Sequence, residues 1–266
     1  RCFLHEDLAV QFHADRLQDI SLSSYEACSA KVLNARLGPK GSGTAADFIV
    51  ELRTTTSAAG VSLIVEEWSE LGLAAACRCK QTLGPLVEAG SLPPVRVVVD
   101  IHSKRSSPYV ASVAREGLTI VVGPVPHRRI RASACQWMEL ATSSVLDFVE
   151  AFNIGARLDI PATALVYRLS EAKLFLPMGA GGAPAAAVHE DLDGGDFQPL
   201  FAGDPMFEYD TGATEAYDGS LGHIMWPVFI NDAVEGLDAG CSCSRAAFVE
   251  EISVPRVARH TEVVQI

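Results

Sequence analysis

A chain of 266 residues suffices for one large or two ordinary domains, and 48% hydrophobic against 20% charged residues argues against disorder. A formal net charge of −12, without a long Lys/Arg run, argues against nucleic acid or an anionic membrane as partner. No apolar run approaches the roughly 18 residues of a membrane span and no basic-then-apolar signal opens the chain, so the expected compartment is the cytoplasm.

The sequence opens on Arg1, which reads as the interior of a longer protein. Residues 24–38, SYEACSAKVLNARLG, have apolar residues at helical spacing, with Ser24 as N-cap and Gly38 as stop. DFIVEL (47–52) and VSLIV (61–65) are short and continuously apolar, as strands covered on both faces are. From Glu66 to about Gly90 the Ala/Leu content predicts a helix, interrupted near Gly72 or Pro85. VRVVVDI (95–101) and LTIVVG (118–123) are two further strands, and residues 132–155 form an amphipathic helix ending at Gly155. Alternating strands and helices predict an α/β layer with a mainly parallel sheet. Ligands bind such sheets outside the strands' carboxyl ends, here Arg53–Thr56 and Val122–Pro124.

Beyond Arg157 the helical period disappears, and Gly, Pro and Asp cluster between strand-like pieces: TALVYRL, MFEYD, HIMWPVFI and AAFVEEISV. A smaller β-rich domain over 157–266 is expected, joined to an α/β domain over 1–156 near residues 155–161. GAGGAPAAA (179–187) lacks the flanking elements and Lys-Ser/Thr ending of a phosphate cradle and reads as a loop.

Few constellations carry chemistry. The seven cysteines include two Cys-x-Cys pairs, Cys77/Cys79 and Cys241/Cys243, whose spacing is not that of a structural zinc site; they read as reduced thiols. There is no G-x-S-x-G elbow, and none of the seven histidines has a glutamate three positions on. The His5-Glu6-Asp7 and His189-Glu190-Asp191 triplets read as solvated turns, because adjacent side chains point apart.

HEDLDGGDFQPLFAGDPMF (189–207), followed by WPVFINDA (226–233), resembles the C-terminal domain of the aspartoacylase and N-acyl-aromatic-amino-acid amidohydrolase family. The likeness extends upstream through VLDFVEAFNIG, VVGPVPHRRIRA, LGPKGSGTAADFIVEL and HEDLAVQF. It implies a zinc-carboxypeptidase-like α/β domain, here lacking its N-terminal part, plus a β-rich C-terminal domain. It also implies zinc-dependent hydrolysis of N-acyl amino acids, with a glutamate as general base and acid.

Carried over residue by residue, the family's chemistry is not matched. The His-x-x-Glu zinc pair would precede Arg1. The motif with the second zinc histidine reads Glu51-Leu52-Arg53-Thr54-Thr55-Thr56, placing Arg53 at the ligand position, and a guanidinium cannot ligate zinc. The Glu-x-Gly-Pro motif of the catalytic carboxylate reads Val121-Val122-Gly123-Pro124, so Val121 stands at the base position. The substrate-carboxylate motif reads Asp7-Leu8-Ala9-Val10, and the substrate-facing tyrosine stretch corresponds to Val234–Asp238. No catalytic residue, metal ligand or cofactor is therefore assigned to this chain. By family position Asp7, Arg53, Thr54 and Thr55 are the substrate-binding candidates; Arg53 reads either as an anion-binding residue or as an arginine salt-bridged to Glu51.

Three functional readings stand. The chain is a family member with impaired or absent catalysis that binds a small carboxylate or N-acyl amino acid, a piece of a working zinc hydrolase, or a non-catalytic interaction protein. Lacking a first strand and helix, the sheet is expected to lose a strand near its middle, and an open edge offers a route to self-association.

Overall fold

The computed structural model describes Leu8 and residues 11–126, 128–179, 182–231 and 242–258. Two helices come first, α1 (Ala14–Gln18) and α2 (Tyr25–Leu37). Strands β1 (Phe48–Thr54) and β2 (Gly60–Glu66), helix α3 (Glu70–Glu88), strands β3 (Val95–Asp100) and β4 (Glu116–Gly123) and helix α4 (Ala132–Asn153) follow. A 3₁₀ turn, Val110–Val113, lies between β3 and β4. The rest is β structure: β5 (Thr163–Phe175), β6 (Ala186–Val188), β7 (Leu200–Phe201), β8 (Pro205–Tyr209), β9 (Thr214–Ala216), β10 (Ile224–Val228) and β11 (Ser242–Ser253).

Eight strands form one sheet in the order β1-β4-β2-β3-β5-β11-β10-β7, and β6-β8-β9 form a second. The pairs β1/β4, β2/β3 and β3/β5 are parallel, while β2/β4 and the pairs beyond β5 are antiparallel. The fold is thus α/β with a sheet mainly parallel in its first part and antiparallel β additions. The segment around residues 155–161 joins α4 to β5, and one sheet runs through both parts because β5 pairs with β3. The described sheet is continuous, and the expected loss of a strand at its middle is not what it shows: β1, with β4 as its sole described neighbour, lies at one edge.

The strand period of two sorts the side chains onto two different faces. Val61, Leu63, Val65, Val97, Val99, Leu118, Ile120 and Val122 point to one side, where they pack with Ala74, Ala75, Ala76, Cys77 and Leu83 of α3 and Ala141, Val145 and Phe148 of α4. This apolar face carries the main core. The opposite face holds Glu51, Arg53, Ser62, Glu66, Val98, Asp100, Thr119 and Val121, and is covered by loops and by the β-rich part.

Local rules account for α2 at both ends. The Ser24 hydroxyl accepts from the Ala27 amide at 3.2 Å, and Gly38 ends the helix with its amide bonded to the Asn34 carbonyl. Helix α3 departs from expectation, running unbroken through both Gly72 and Pro85. Gly72 is a packing residue: a Cβ there would collide with the Gly117 carbonyl and stand 2.5 Å from Ser69 Oγ. Pro85 lies in the last turn, where it forgoes one intrahelical bond close to the helix end, and the buried Ala74–Cys79 face holds the helix on the sheet. The tail of the expected loop 179–187 also differs, Ala186 and Ala187 pairing with β8 as part of β6.

Candidate functional site

Arg53 and Val121 are register partners at the carboxyl ends of the parallel strands β1 and β4, so their side chains stand next to each other on the polar face. Glu51 and Thr119 form the adjoining pair, and the Thr119 hydroxyl donates to Glu51 Oε2 at 3.2 Å. Arg53 Nε lies 3.9 Å from Glu51 Oε1, and its guanidinium stacks 5.2 Å from the centre of the Tyr109 ring. The Arg53–Glu51 contact is the salt bridge named as one reading of the sequence, and the aromatic stack adds a second hold on the cation.

Tyr109 carries the network inward. Arg245 lies near enough for its charge to act on the phenol, and its Nη1 donates to Asp100 Oδ2 at 2.9 Å. Asp100 is fully buried, and its Oδ1 lies 2.5 Å from His102 Nδ1. Burial alone would raise the Asp100 carboxyl; the bonds to His102 and Arg245 outweigh it and hold the group well below the usual carboxylate range. Next to it, burial raises Glu66, although the Ser107 hydroxyl donates to its Oε1 at 2.7 Å. Lys40 closes the row: its ammonium donates to the carbonyls of Phe12 and Ser107 and to Ser112 Oγ at 2.7–2.8 Å, and burial lowers it to about 8. Arg53, Arg245 and Lys40 offset the buried acids Glu51, Asp100 and Glu66, of which Asp100 and Glu66 sit side by side in register.

Val121 has other neighbours. It is 5% exposed and packs with Ala59, Val98, Leu169, Phe197, Val228, Phe229 and Ala247. The position that the family resemblance gives to a carboxylate is therefore apolar in itself and packed against an apolar cluster, with Arg53 and Ser62 beside it on the neighbouring strands. Gly123 allows the strand-end loop to fold close, since a Cβ there would strike the Ser57 carbonyl and stand 2.6 Å from Thr55 Cγ2.

The substrate-binding candidates separate in space. Thr54 is exposed at the end of β1. Thr55 is buried, its hydroxyl 2.9 Å from Ser57 Oγ and its carbonyl accepting from the Val125 amide. Asp7 lies outside the described residues, as do Val234–Asp238 and Cys241. Cys77 and Cys79 are buried in the core, and burial pushes both thiols up to about 11, so they are packing residues. The His189 triplet is a turn, with the Asp191 amide donating to His189 Nδ1 at 3.2 Å.

Sequence reasoning missed Tyr109, Asp100, His102, Arg245 and Asp196. Asp100 and Arg245 are 145 positions apart, and no spacing rule joins them. Asp196 is 3% exposed; its Oδ2 accepts from the Ala58 amide and its Oδ1 from the Ile230 amide, each at 2.9 Å. Burial raises this carboxyl against the pull of the Ile230, Ala58 and Phe229 amides. The one available signal was its place inside DLDGGDF, the stretch that carries the family likeness.

The donors present at the strand ends do not make a zinc site. Arg53, which the family resemblance gives to a zinc-ligand position, is a guanidinium already engaged by Glu51 and Tyr109, and Val121, which it gives to the base position, lies in an apolar cluster. Among the described residues no group of three or more His, Cys, Asp and Glu is arranged to hold a metal ion. These residues do not fit zinc. Nor is any helix among the described residues long and apolar enough to cross a membrane.

Comparison with known proteins places this geometry. Residues 166–241 match the AstE/AspA barrel-sandwich hybrid domain. The crystal structure of murine aminoacylase 3 superposes with a TM-score of 0.84 at 31% identity, covering 97% of this chain and 81% of that one. Succinylglutamate desuccinylase from Vibrio parahaemolyticus, 13% identical with a TM-score of 0.51, shares the fold. The class defined is thus a carboxypeptidase-like α/β layer joined to a barrel-sandwich hybrid unit. Aspartoacylase of Danio rerio is 32% identical over 234 residues, covering 87% of this chain and 71% of the relative. The mouse N-acyl-aromatic-L-amino acid amidohydrolase (carboxylate-forming) is 34% identical over 209 residues, 79% of this chain and 62% of the relative's length. The chain belongs to the aspartoacylase and N-acyl-aromatic-amino-acid amidohydrolase family, and it spans about 62% of the length of the mouse amidohydrolase.

Proposed function

We propose that this chain keeps its family's ligand-binding scaffold, with an N-acyl amino acid or related small carboxylate as ligand, and lacks zinc-dependent hydrolysis of its own. One observation carries the reading: Arg53 and Val121, which the family resemblance gives to the metal-ligand and base positions, are register partners at neighbouring strand ends. A guanidinium keeps its proton, repels a divalent cation and pairs well with carboxylates. Valine cannot move a proton, and its apolar shell disfavours a charged reaction centre. A cation at the end of β1 suits capture of a carboxylate, while Thr54, the next residue along the strand, faces the other side of the sheet.

The test uses the complete protein as it occurs in cells. Metal analysis is expected to return well under one zinc per chain, and N-acetyl-L-tyrosine or N-acetyl-L-aspartate to bind by calorimetry without being deacylated. Arg53→Ala should weaken that binding at least tenfold. Stoichiometric zinc together with deacylation abolished by a chelator would overturn the reading.

The second reading, an interaction protein on the same scaffold, is favoured by β1. Among the described residues this strand is paired on one side only, and its Leu52 is 48% exposed. A sheet edge of this kind accepts a further strand. Concentration-dependent mass in sedimentation, lowered by Leu52→Lys, would favour it.

A further inference from the structure

The DLDGGDF stretch has a structural task that the functional reading leaves unexplained. Asp196 places one carboxylate between two loops that are far apart in sequence. One is the β1–β2 loop, residues 55–59, reached through the Ala58 amide. The other follows β10 and is reached through the Ile230 amide. Two carboxylate oxygens can accept from donors on opposite sides, and the site excludes the water that would otherwise satisfy them.

Further contacts close the same joint. Asn231 Nδ2 donates to Asp193 Oδ1 at 2.7 Å, and the Thr56 hydroxyl donates to the Asn231 carbonyl at 3.4 Å. Arg96 donates to the Ala59 carbonyl at 3.2 Å and stacks 4.6 Å from the Phe197 ring. Phe197 and Phe229, edge to face at 6.0 Å, both have positive φ, at 64° and 59°. A bulky side chain adopts that conformation only where surrounding contacts enforce it, and such strain collects at working sites. Both rings lie in the cluster that covers Val121.

From these contacts we infer that Asp196 is a positioning residue: its carboxylate clasps the β1–β2 loop to the loop after β10 and so sets the shape of the strand-end site beside Arg53. The inference rests on the reading of that strand end as a ligand site, and it assigns a role to a residue that does not itself touch the ligand. Aspartate is needed rather than asparagine because asparagine offers one acceptor oxygen and turns an NH₂ donor toward the second amide.

Hydrogen–deuterium exchange on wild-type protein and Asp196→Asn tests the clasp. Exchange in peptides covering residues 55–60 and 229–231 is expected to rise at least tenfold, while amides of β2 and β3 stay as protected as in wild type. Calorimetry with N-acetyl-L-tyrosine should show affinity lowered at least fivefold in the variant. Unchanged exchange at both loops overturns the clasp, and a uniform rise across the sheet overturns it in favour of a merely structural role. Local loop opening with unaltered affinity for a ligand that the wild type does bind overturns the positioning of the site. If the wild type binds neither N-acetyl-L-tyrosine nor N-acetyl-L-aspartate, the ligand reading fails and the positioning of a ligand site fails with it. The exchange result then still decides the clasp, so the two failures are told apart.

Discussion

Replacing Arg245 with methionine is expected to be among the most damaging single changes away from the apolar core. Arg245 is 8% exposed and its guanidinium lies 2.9 Å from a fully buried Asp100 carboxylate, joining β3 of the α/β part to β11 of the β-rich part. Two unit charges at that distance attract by about 6 kcal/mol at an effective permittivity of about 20. Desolvation offsets part of this, so breaking such a pair from one side costs about 3–5 kcal/mol, mostly the penalty of the stranded charge. Removing both charges should cost less, because no uncompensated ion remains. Urea denaturation of Arg245→Met, Asp100→Asn and the double variant measures the cycle. The expected coupling is about 2–3 kcal/mol, with the double variant more stable than the sum of the singles predicts. A loss below about 1 kcal/mol in Arg245→Met, or additive single effects, would refute the argument that the pair is desolvated and interdependent.

Three further outcomes follow from the same structure. Stability should pass through a maximum at mildly acid pH: Glu66, raised by burial, adds stability as pH falls toward its unfolded value of about 4.3. Asp100, held low by His102 and Arg245 despite its burial, contributes stability above about pH 3.9 that is lost as pH falls below it. Melting temperature against pH should therefore lose its rise in Glu66→Gln and show a shallower acid limb in Asp100→Asn. Gly72→Ala should destabilise on the order of 3 kcal/mol in chemical denaturation, since the added methyl meets the Gly117 backbone rather than a movable side chain. In the folded protein Cys28 and Cys135, both exposed, should be alkylated well before Cys77, Cys79 and Cys243; peptide mapping that found Cys79 modified at the same rate would contradict its burial.

Local patterns carried much of the fold. Continuous β-branched runs marked β2, β3 and β4, and Ser24 with Gly38 bounded α2, because those features act over one or two turns of chain. Helix α3 was harder to read. Gly72 and Pro85 are breakers by propensity, but close contact with the Gly117 backbone and burial of Cys77 and Cys79 override it. At the candidate site, Arg53 and Val121 stood out as departures from the family's motif, and the structure sets them on adjacent strands. Thr55, offered as a ligand contact by its position, turns its hydroxyl inward to Ser57.

By itself the sequence determined the longer strands and helices, the family of the chain, and the residue types at the two motif positions; α1 and the short strands β6, β7 and β9 were not legible in it. The features it determined are properties of short windows, where composition and spacing act directly. The tertiary structure alone decided that β1 presents Glu51 and Arg53 to a charged face shared with Asp100 and Arg245, and that Asp196 ties two remote loops together. Buried charges find their partners through the folded sheet, across 145 positions for Asp100 and Arg245, and nothing in a local window records that pairing.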